Sequence, residues 1–496
     1  VKPTHHRDAS SRVVIIGGGI AGISAAWALS AANANRDPHP RREVVLLESR
    51  RVAGGRAGSF ADPVSGELTD YCQHVAMGCC TNFIDLLKDA GLADRMTRYP
   101  ALNFYHPETG ISPFRPSRFL PAPLHLNSAL AGLPYLSLMQ KMRIRLGLWK
   151  LMRTKESQLL DTVAANWLSA NGQSAEIRKR FWDVILVSAL GDVPERVSMA
   201  AARKVIIDGF AAARGASDVW VPNEPLSTIF GEHMIDALGQ RGVDVRLGTS
   251  VRAIEARTAG AGASMLLADG NSIDSQHVIL ATSWRAASRL IQTIDASELD
   301  ATTQQWQRRL IQNFESVSAS PITGLHLWFD RALTPLPHVA MVGTTAHWLF
   351  RQPIDAPDSQ TGCYHQVVIS GRHDLSDAPK EELAEHVVNE LRNAFPGARD
   401  AVLLRSRVVT DPAAVYSVSP DWQSRRPACE TPLSWLHLAG DYVQTGWPAT
   451  MEGATISGRT AADRVQHGLA HARGHVPTHV QPGLRPGGIA RWLIRG

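Results

Sequence analysis

The sequence predicts an α/β fold, with a parallel-sheet domain built from distant parts of the chain and a second, α+β domain inserted between them. Three observations lead there. A β-branched run, Arg12-Val13-Val14-Ile15-Ile16, ends in a glycine-rich turn that opens a helix of small residues. A second buried-strand run, Glu43 to Glu48, follows after a polar loop and completes a βαβ unit. Near the far end another strand, Trp435 to Asp441, precedes a loop and a helix.

Taken in order, the first helix covers Ile23 to Ala32, and the loop Asn33 to Arg42 carries two prolines. Residues 113–155 mix prolines, Leu, Met and basic residues. Residues 243–281 return to short β-runs (VDVRL, SVRAIEA, SMLLADG, HVILAT) separated by Gly, Asn and Asp, a meander feeding a final strand. A helical and β-rich stretch fills roughly 290–425, and the last helix runs from about Ala449 to Val465. No internal repeat of useful length is present. The Pro/Gly/Arg tail from Val476 is expected to be loosely ordered, with an apolar tip at Arg491-Trp492-Leu493-Ile494.

Composition narrows the class. At 496 residues, 44% hydrophobic and 20% charged, the chain suits a globular protein of two to four domains and not a disordered one. Its 51 Lys+Arg against 46 Asp+Glu leave a net charge of only +5, and its 13 Trp do not interleave with dense basic stretches. Nucleic acid is therefore not an expected partner. The 5 Cys, at 72, 79, 80, 363 and 429, are an odd number and no disulfide framework. The first residues lack the apolar stretch of a signal peptide, and no apolar run is long enough to span a bilayer; Ser128 to Met139 is short and broken by Pro134. A cytoplasmic setting is expected, with peripheral attachment to the inner face of the cell membrane left open.

The chemistry begins at Gly17, Gly19 and Gly22, which stand as G-x-G-x-x-G directly after a strand and at the opening of a helix. The first glycine permits the turn, the second lets backbone approach a pyrophosphate, and the third lets helix pack on strand. The helix N-terminus adds free N–H groups and the positive end of a dipole. Glu48, closing the second strand, is placed to hydrogen-bond a ribose hydroxyl. Together these point to dinucleotide binding.

Glu48 is followed by Ser49-Arg50-Arg51-Val52-Ala53-Gly54-Gly55-Arg56. The spacing from the acid to G-G-R resembles the flavin-containing amine oxidase and phytoene desaturase superfamily, whose G-G-R loop lies along the FAD pyrophosphate and carries an Arg to it. Leu438-Ala439-Gly440-Asp441, followed by Pro448 to Ala454 and Ser457-Gly458, resembles the superfamily's C-terminal signature. There an Asp reaches the phosphate–ribityl region and a helix N-terminus points at the flavin ring. The resemblance implies non-covalent FAD on a Rossmann-like domain of glutathione-reductase type. Its implied contacts are Gly17, Gly19, Gly22, Glu48, Ser49, Gly55, Arg56, Val251, Gly440, Asp441, Thr450 and Met451. It also implies a discontinuous FAD domain over 1–105, 220–290 and 430–470, a substrate domain over 106–219 and 291–429, and a basic tail over 471–496.

Between the two signatures, Asp70-Tyr71-Cys72-Gln73-His74 resembles the D-x-x-Q-H segment of squalene-associated flavin desaturases, understood as hydroxysqualene dehydroxylases. The stretches Ala189 to Ser198, Ser217 to Ser227, Ala281 to Trp284 and Thr445 to Thr450 are similar to that group as well. The chain departs from it at Tyr71-Cys72, where the group has a smaller or amide residue followed by Gly, and in the Cys79-Cys80 pair. This resemblance implies an isoprenoid hydrocarbon or alcohol as substrate, with His74 and Gln73 the catalytic candidates. Reduced flavin would deliver hydride to an allylic cation while His74 protonates the departing hydroxyl, giving squalene; the sequence names no electron donor. Two alternatives stand beside it. One is a phytoene-type carotenoid desaturase, with hydride moving from C–H to oxidised flavin; the other is a flavin-binding lipid carrier without turnover.

An amine substrate is disfavoured on two residues. No Lys occurs between Lys204 and Lys380, where amine oxidases carry one toward the flavin, and Thr450 stands where they place an aromatic before M-E-G. Metal is not expected either, since Cys72, His74, Cys79 and Cys80 fit none of the zinc spacings. Cys429 is expected to be an ordinary thiol. Finally, residues 113–153 hold no carboxylate, but join Leu, Met, Phe and Trp149 to Arg115, Arg118, Lys141, Arg143, Arg145, Lys150 and Arg153. That combination is the pattern of an element lying on an anionic membrane surface.

Overall fold

A computed structural model describes residues 12–34, 42–257, 262–351, 362–375, 378–469 and 478–495. The extreme N-terminus, most of the polar loop after residue 34, and residues 470–477 of the tail lie outside the described residues.

The sheet that opens the chain holds five strands among the described residues, all parallel, in the order Asp244–Leu247, Glu43–Glu48, Arg12–Ile16, His277–Leu280, Leu436–Leu438. Val13 to Ile16 and Val44 to Leu47 are almost wholly buried, as central strands covered on both faces must be, which is why they read as unbroken apolar runs. Asp244–Leu247 departs from expectation. It is not part of the meander but forms an edge of the parallel sheet, and its alternation of Asp244 and Arg246 with Val245 and Leu247 suits a half-solvated edge. The meander itself contains Val251–Ala256, Ala263–Leu267 and Ser272–Ser275, antiparallel in that order.

Two helices cover one another beside this sheet. Ile20–Ala34 and Met451–Leu469 cross so closely that a Cβ on Gly458 would lie 2.1 Å from the Ala21 carbonyl oxygen. The Ser24 hydroxyl donates across the crossing to the Thr455 carbonyl (3.1 Å). Small residues were legible as helix formers; their reason is this contact.

The second large sheet has seven strands among the described residues, in the order Leu403–Tyr416, Ala319–Phe329, Cys363–Ser370, Trp348–Arg351, His338–Met341, Leu102–His106, Gly110–Phe114. Its two faces follow the period of two along Ala319–Phe329. Leu325, Leu327 and Phe329 join a core with Val387 and Leu391 of the helix Lys380–Ala394. Gly324, His326 and Trp328 take the other face, toward the loop 59–71: a Cβ on Gly324 would lie 2.8 Å from the Tyr71 carbonyl oxygen, and Phe60 meets His326 edge-on. That face of the strand presents His326 to Phe60 and to the Tyr364 hydroxyl.

The tail also departs from expectation. Where described, it is strapped down: Gln481 N–H donates to the Asn82 side chain, Gly487 N–H to the Ala212 carbonyl and Arg495 N–H to the Met152 carbonyl, with a short helix Gly488–Leu493 between the last two. Its backbone groups find partners on three separate segments, so low apolar content does not leave it free. Lys141, counted with the surface cations from sequence, is buried and donates to the Ala131 carbonyl (2.9 Å).

Candidate flavin site

The glycine turn has three different steric reasons. Gly17 holds φ +110°, and a Cβ there would lie 2.5 Å from the Ala281 carbonyl oxygen; on Gly22 it would lie 1.8 Å from the Gly17 carbonyl oxygen. A Cβ on Gly19 would instead meet nothing closer than the Gly55 Cα at 3.9 Å. The first and third glycines are thus demanded by the protein itself, whereas the second leaves room on the side from which a pyrophosphate would approach.

Glu48 is nearly buried at the end of its strand. Its Oε2 accepts Gly18 N–H (2.7 Å), and its Oε1 accepts Arg50 N–H (2.8 Å) and the Ser49 hydroxyl (3.1 Å). A carboxylate has about four lone-pair positions, so capacity for a ribose hydroxyl remains. Thr249 N–H donates to the Glu48 carbonyl (2.8 Å), which brings the start of the Val251–Ala256 strand to the same end of the sheet. Gly54 N–H donates to the Gly18 carbonyl (2.8 Å), laying the G-G-R loop along the first glycine turn.

Arg56 has a partner that sequence did not suggest. It pairs with Asp441 (2.5 Å) and donates to the Ala414 carbonyl (3.2 Å), joining the two signature segments directly. Burial works to lower the Arg56 pKa, but the Asp441 charge and hydrogen bond raise it above the ordinary arginine value. The Arg56 side chain remains 42% exposed, while Asp441 is buried with Oδ2 unpartnered.

The C-terminal loop is held by residues outside either motif. Buried Arg426 donates to the carbonyls of Asp441 (2.9 Å), Tyr442 (3.2 Å), Val443 (2.6 Å) and Trp447 (2.6 Å), and the Tyr416 hydroxyl donates to the Asp441 carbonyl (2.7 Å). Gly440 N–H donates to the Ser457 hydroxyl (2.8 Å). Thr450 then caps the helix Met451–Leu469, its hydroxyl accepting Gly453 N–H (3.1 Å), while the first-turn N–H groups of Met451 and Glu452 have no partner further back in the helix. Glu452 turns inward and caps a neighbouring helix, Thr81–Asp89, by accepting Asn82 N–H (3.0 Å) and Phe83 N–H (2.8 Å).

The loop bearing the catalytic candidates lies beside Arg56. His74 Nδ1 is 2.8 Å from the Cys72 carbonyl oxygen, which can only accept, so Nδ1 carries the proton and a neutral ring leaves Nε2 free to accept. Burial lowers the His74 pKa, the Cys72 carbonyl opposes this, and the Arg56 cation lowers it further; the net shift is below the ordinary histidine value. Gln73 is buried with Oε1 unpartnered. Asp70 is fully buried; it accepts the Ser59 hydroxyl (2.7 Å) and Leu226 N–H (2.8 Å), and burial pushes its pKa up to about 6. On the substrate side, Gln366 donates to the Asp70 carbonyl (3.1 Å) and His326 Nδ1 meets the Tyr364 hydroxyl (2.6 Å).

Among the described residues no group of three or more His, Cys, Asp or Glu side chains could hold a metal ion. Cys429 is buried and burial pushes its thiol up to about 12, far from a reactive thiolate.

The residues present fit FAD on two observations: a glycine turn open only at Gly19, and a buried Asp441 oxygen without a partner beside an accessible Arg56. Turn, terminal acid, Arg–Asp pair and helix N-terminus on a parallel sheet define a flavin-dependent oxidoreductase. A family model described as flavin containing amine oxidoreductase matches residues 20–466, and the chain belongs to that family. FAD is its cofactor, bound non-covalently. Among curated relatives, the chain is 25% identical over 479 residues to the 15-cis-phytoene desaturase of Solanum lycopersicum, covering 91% of this chain and 77% of the relative. It is 25% identical over 490 residues to a probable zeta-carotene desaturase of Synechococcus elongatus, covering 91% and 98%. Cyclohexylamine oxidase from Brevibacterium oxydans shares the fold, with a TM-score of 0.65, 19% identity and coverage of 93% and 99%.

Proposed function

We propose that the enzyme is a carotenoid desaturase of the phytoene type, removing hydrogen from a long isoprenoid hydrocarbon. Bound FAD supplies the hydride acceptor. The observation that carries the choice is the state of His74. With Nδ1–H committed to the Cys72 carbonyl and its pKa lowered, the ring is neutral near pH 7 and can take a proton at Nε2 but has none to give there. Desaturation removes a hydride from one carbon and a proton from its neighbour, so a neutral base suits it. Reductive dehydroxylation of hydroxysqualene, which the D-x-x-Q-H segment suggests, needs a proton already on His74 Nε2 in the resting enzyme, which burial and the Arg56 cation disfavour. The desaturase names of the curated relatives support the same choice, and the absence of Lys between Lys204 and Lys380 speaks against an amine.

The rest of the chain's part is positional. Arg56 and Asp441 orient one another beside the flavin segments, and Gln73 and Asp70 set the loop that carries His74. The FAD-loaded enzyme should be incubated with phytoene and a quinone, and separately with hydroxysqualene and a reductant. A longer-wavelength polyene from phytoene is the expected product. Squalene formation from hydroxysqualene, with phytoene untouched, would reinstate the dehydroxylase; inertness toward both, with flavin bound, would favour the lipid-carrier reading.

A further inference from the structure

We propose that the loop 115–125, the helix Leu138–Arg153 and the C-terminal helix Gly488–Leu493 form one surface that docks on a bilayer containing anionic lipid. The proposal goes beyond the desaturase reading and its test needs no turnover.

The helix Leu138–Arg153 is apolar on the wrong side. Ile144, Gly147 and Leu151 are buried, and Gly147 abuts Gln173 and Trp182 so closely that a Cβ would lie 2.8 Å and 3.2 Å from them. At about 100° per residue the opposite side carries Leu138, Met139, Met142, Leu146 and Trp149, within an arc of about 100°. Those five are 81%, 60%, 55%, 56% and 50% exposed. A helix packed on a core by one face ordinarily gives polar residues to the other. Here the polar residues are displaced to the flanks, Arg145 on one side of the stripe and Arg143 and Lys150 on the other, all exposed.

The stripe is continuous with two other segments. The tail helix begins at Gly487, where a Cβ would lie 3.6 Å from the Ala122 Cβ of the loop 115–125. It ends against the longer helix, with Arg495 N–H donating to the Met152 carbonyl (2.9 Å) and the Arg153 guanidinium to the Trp492 carbonyl (3.4 Å). Trp492 is 76% exposed and Phe119, at the loop's outer turn, 94%.

Charge selects the occupant. Residues 113–153 and 478–495 contain no Asp or Glu, while Arg115, Arg118, Arg485 and Arg491 add exposed cations to those of the helix. Apolar side chains projecting from a cationic rim can enter the acyl boundary while the cations meet anionic headgroups. A two-fold contact with a second copy would set these cations against one another. No helix among the described residues is long and apolar enough to cross a membrane, so the contact would be peripheral.

The full-length, FAD-loaded protein should be floated with phosphatidylcholine vesicles with and without phosphatidylglycerol. Flotation only with the anionic vesicles, reversed by high salt, is expected. Arg143→Glu with Lys150→Glu should weaken partitioning by at least about tenfold, and Phe119→Ser with Trp492→Ser should do the same at low salt, each with an unchanged flavin spectrum. Brominated acyl chains should quench the tryptophan emission of the wild type more than that of Trp492→Phe. Failure to float with anionic vesicles at low salt, variants that partition like the wild type with flavin intact, or a wild-type dimer that these variants convert to monomer would each overturn the proposal.

Discussion

Replacing Arg426 with Met should loosen the loop that carries Asp441 and Thr450 without altering either residue. The guanidinium makes four bonds to backbone carbonyls at 2.6–3.2 Å. Bonds to a charged group are each worth about 1.5–3 kcal/mol, so four would total roughly 6 kcal/mol or more. Burying the cation costs several kcal/mol in lost hydration, which the substitution returns. Met keeps most of the packed stem, so a net loss of about 3 kcal/mol is expected. Part of that loss should appear in FAD affinity, since one of the freed carbonyls belongs to Asp441 itself; about 1.4 kcal/mol there corresponds to a tenfold rise in Kd. Calorimetric titration of apoprotein with FAD and a thermal melt followed by flavin fluorescence measure the two shares. Arg425→Met is the control: its exposed neighbour pairs with Asp421 on the surface, a contact worth about 0.5 kcal/mol or less. If Arg426→Met melts and binds FAD like the wild type, the loop does not depend on this guanidinium and the account of the site's C-terminal half is wrong.

Gly19→Glu should fold yet purify colourless, because its Cβ has space but its carboxylate enters the pyrophosphate's side; a yellow protein would refute the placement of the cofactor. Gly22→Ala, with its 1.8 Å clash, should instead give little soluble protein. His74→Gln should keep its flavin and lose about a hundredfold or more in turnover. The wild-type acid limb in kcat/KM, lying below the ordinary histidine pKa because His74 is shifted down, should vanish with it; a persisting limb would remove His74 from the chemistry. Asp70→Asn tests the buried carboxyl. Its pKa rises from 3.8 to about 6 in the fold, so its favourable contribution is complete below 3.8 and lost as pH rises through about 6. A shift of about two units corresponds to at most about 3 kcal/mol. Denaturant titrations should therefore find Asp70→Asn more stable than wild type at pH 8 by about 1–3 kcal/mol and no more stable at pH 4; equal stability at pH 8 would contradict the burial argument.

What could be read in advance was what short spacing encodes. Arg12–Ile16, the glycine turn and Glu43–Glu48 are contiguous, and their chemistry is local: a φ that only glycine tolerates, a strand that must be apolar on both faces, an acid at its end. Where a residue's role depends on a partner far along the chain, the sequence was silent. Arg426 bonds the carbonyls of the Asp441 loop, and backbone carbonyls leave no signature in sequence. Glu452 sits inside a recognised motif, yet its cap on Thr81–Asp89 spans 370 residues. In sequence Asp244–Leu247 belongs with the meander strands that follow it, and only its parallel pairing with Glu43–Glu48 separates it. Lys141 resembles its fellow cations in sequence, and only helical phase turns it inward. The tail's order comes from hydrogen bonds to Asn82, Ala212 and Met152, which composition does not record.

The strand order of the parallel sheet also bears on how the protein is made. Its five strands among the described residues come from around residues 12, 43, 244, 277 and 436, and Arg56 waits for Asp441. During synthesis at about 5–20 residues per second, the N-terminal glycine turn is out of the ribosome long before its far strand and helix exist. The seven-stranded sheet meets the same delay, since Leu102–His106 pairs with His338–Met341. Parallel pairing over such separations is slow to close and leaves apolar strands uncovered while it waits. The cradle that Arg56 and Asp441 form together is therefore complete only once the chain has been made beyond residue 441.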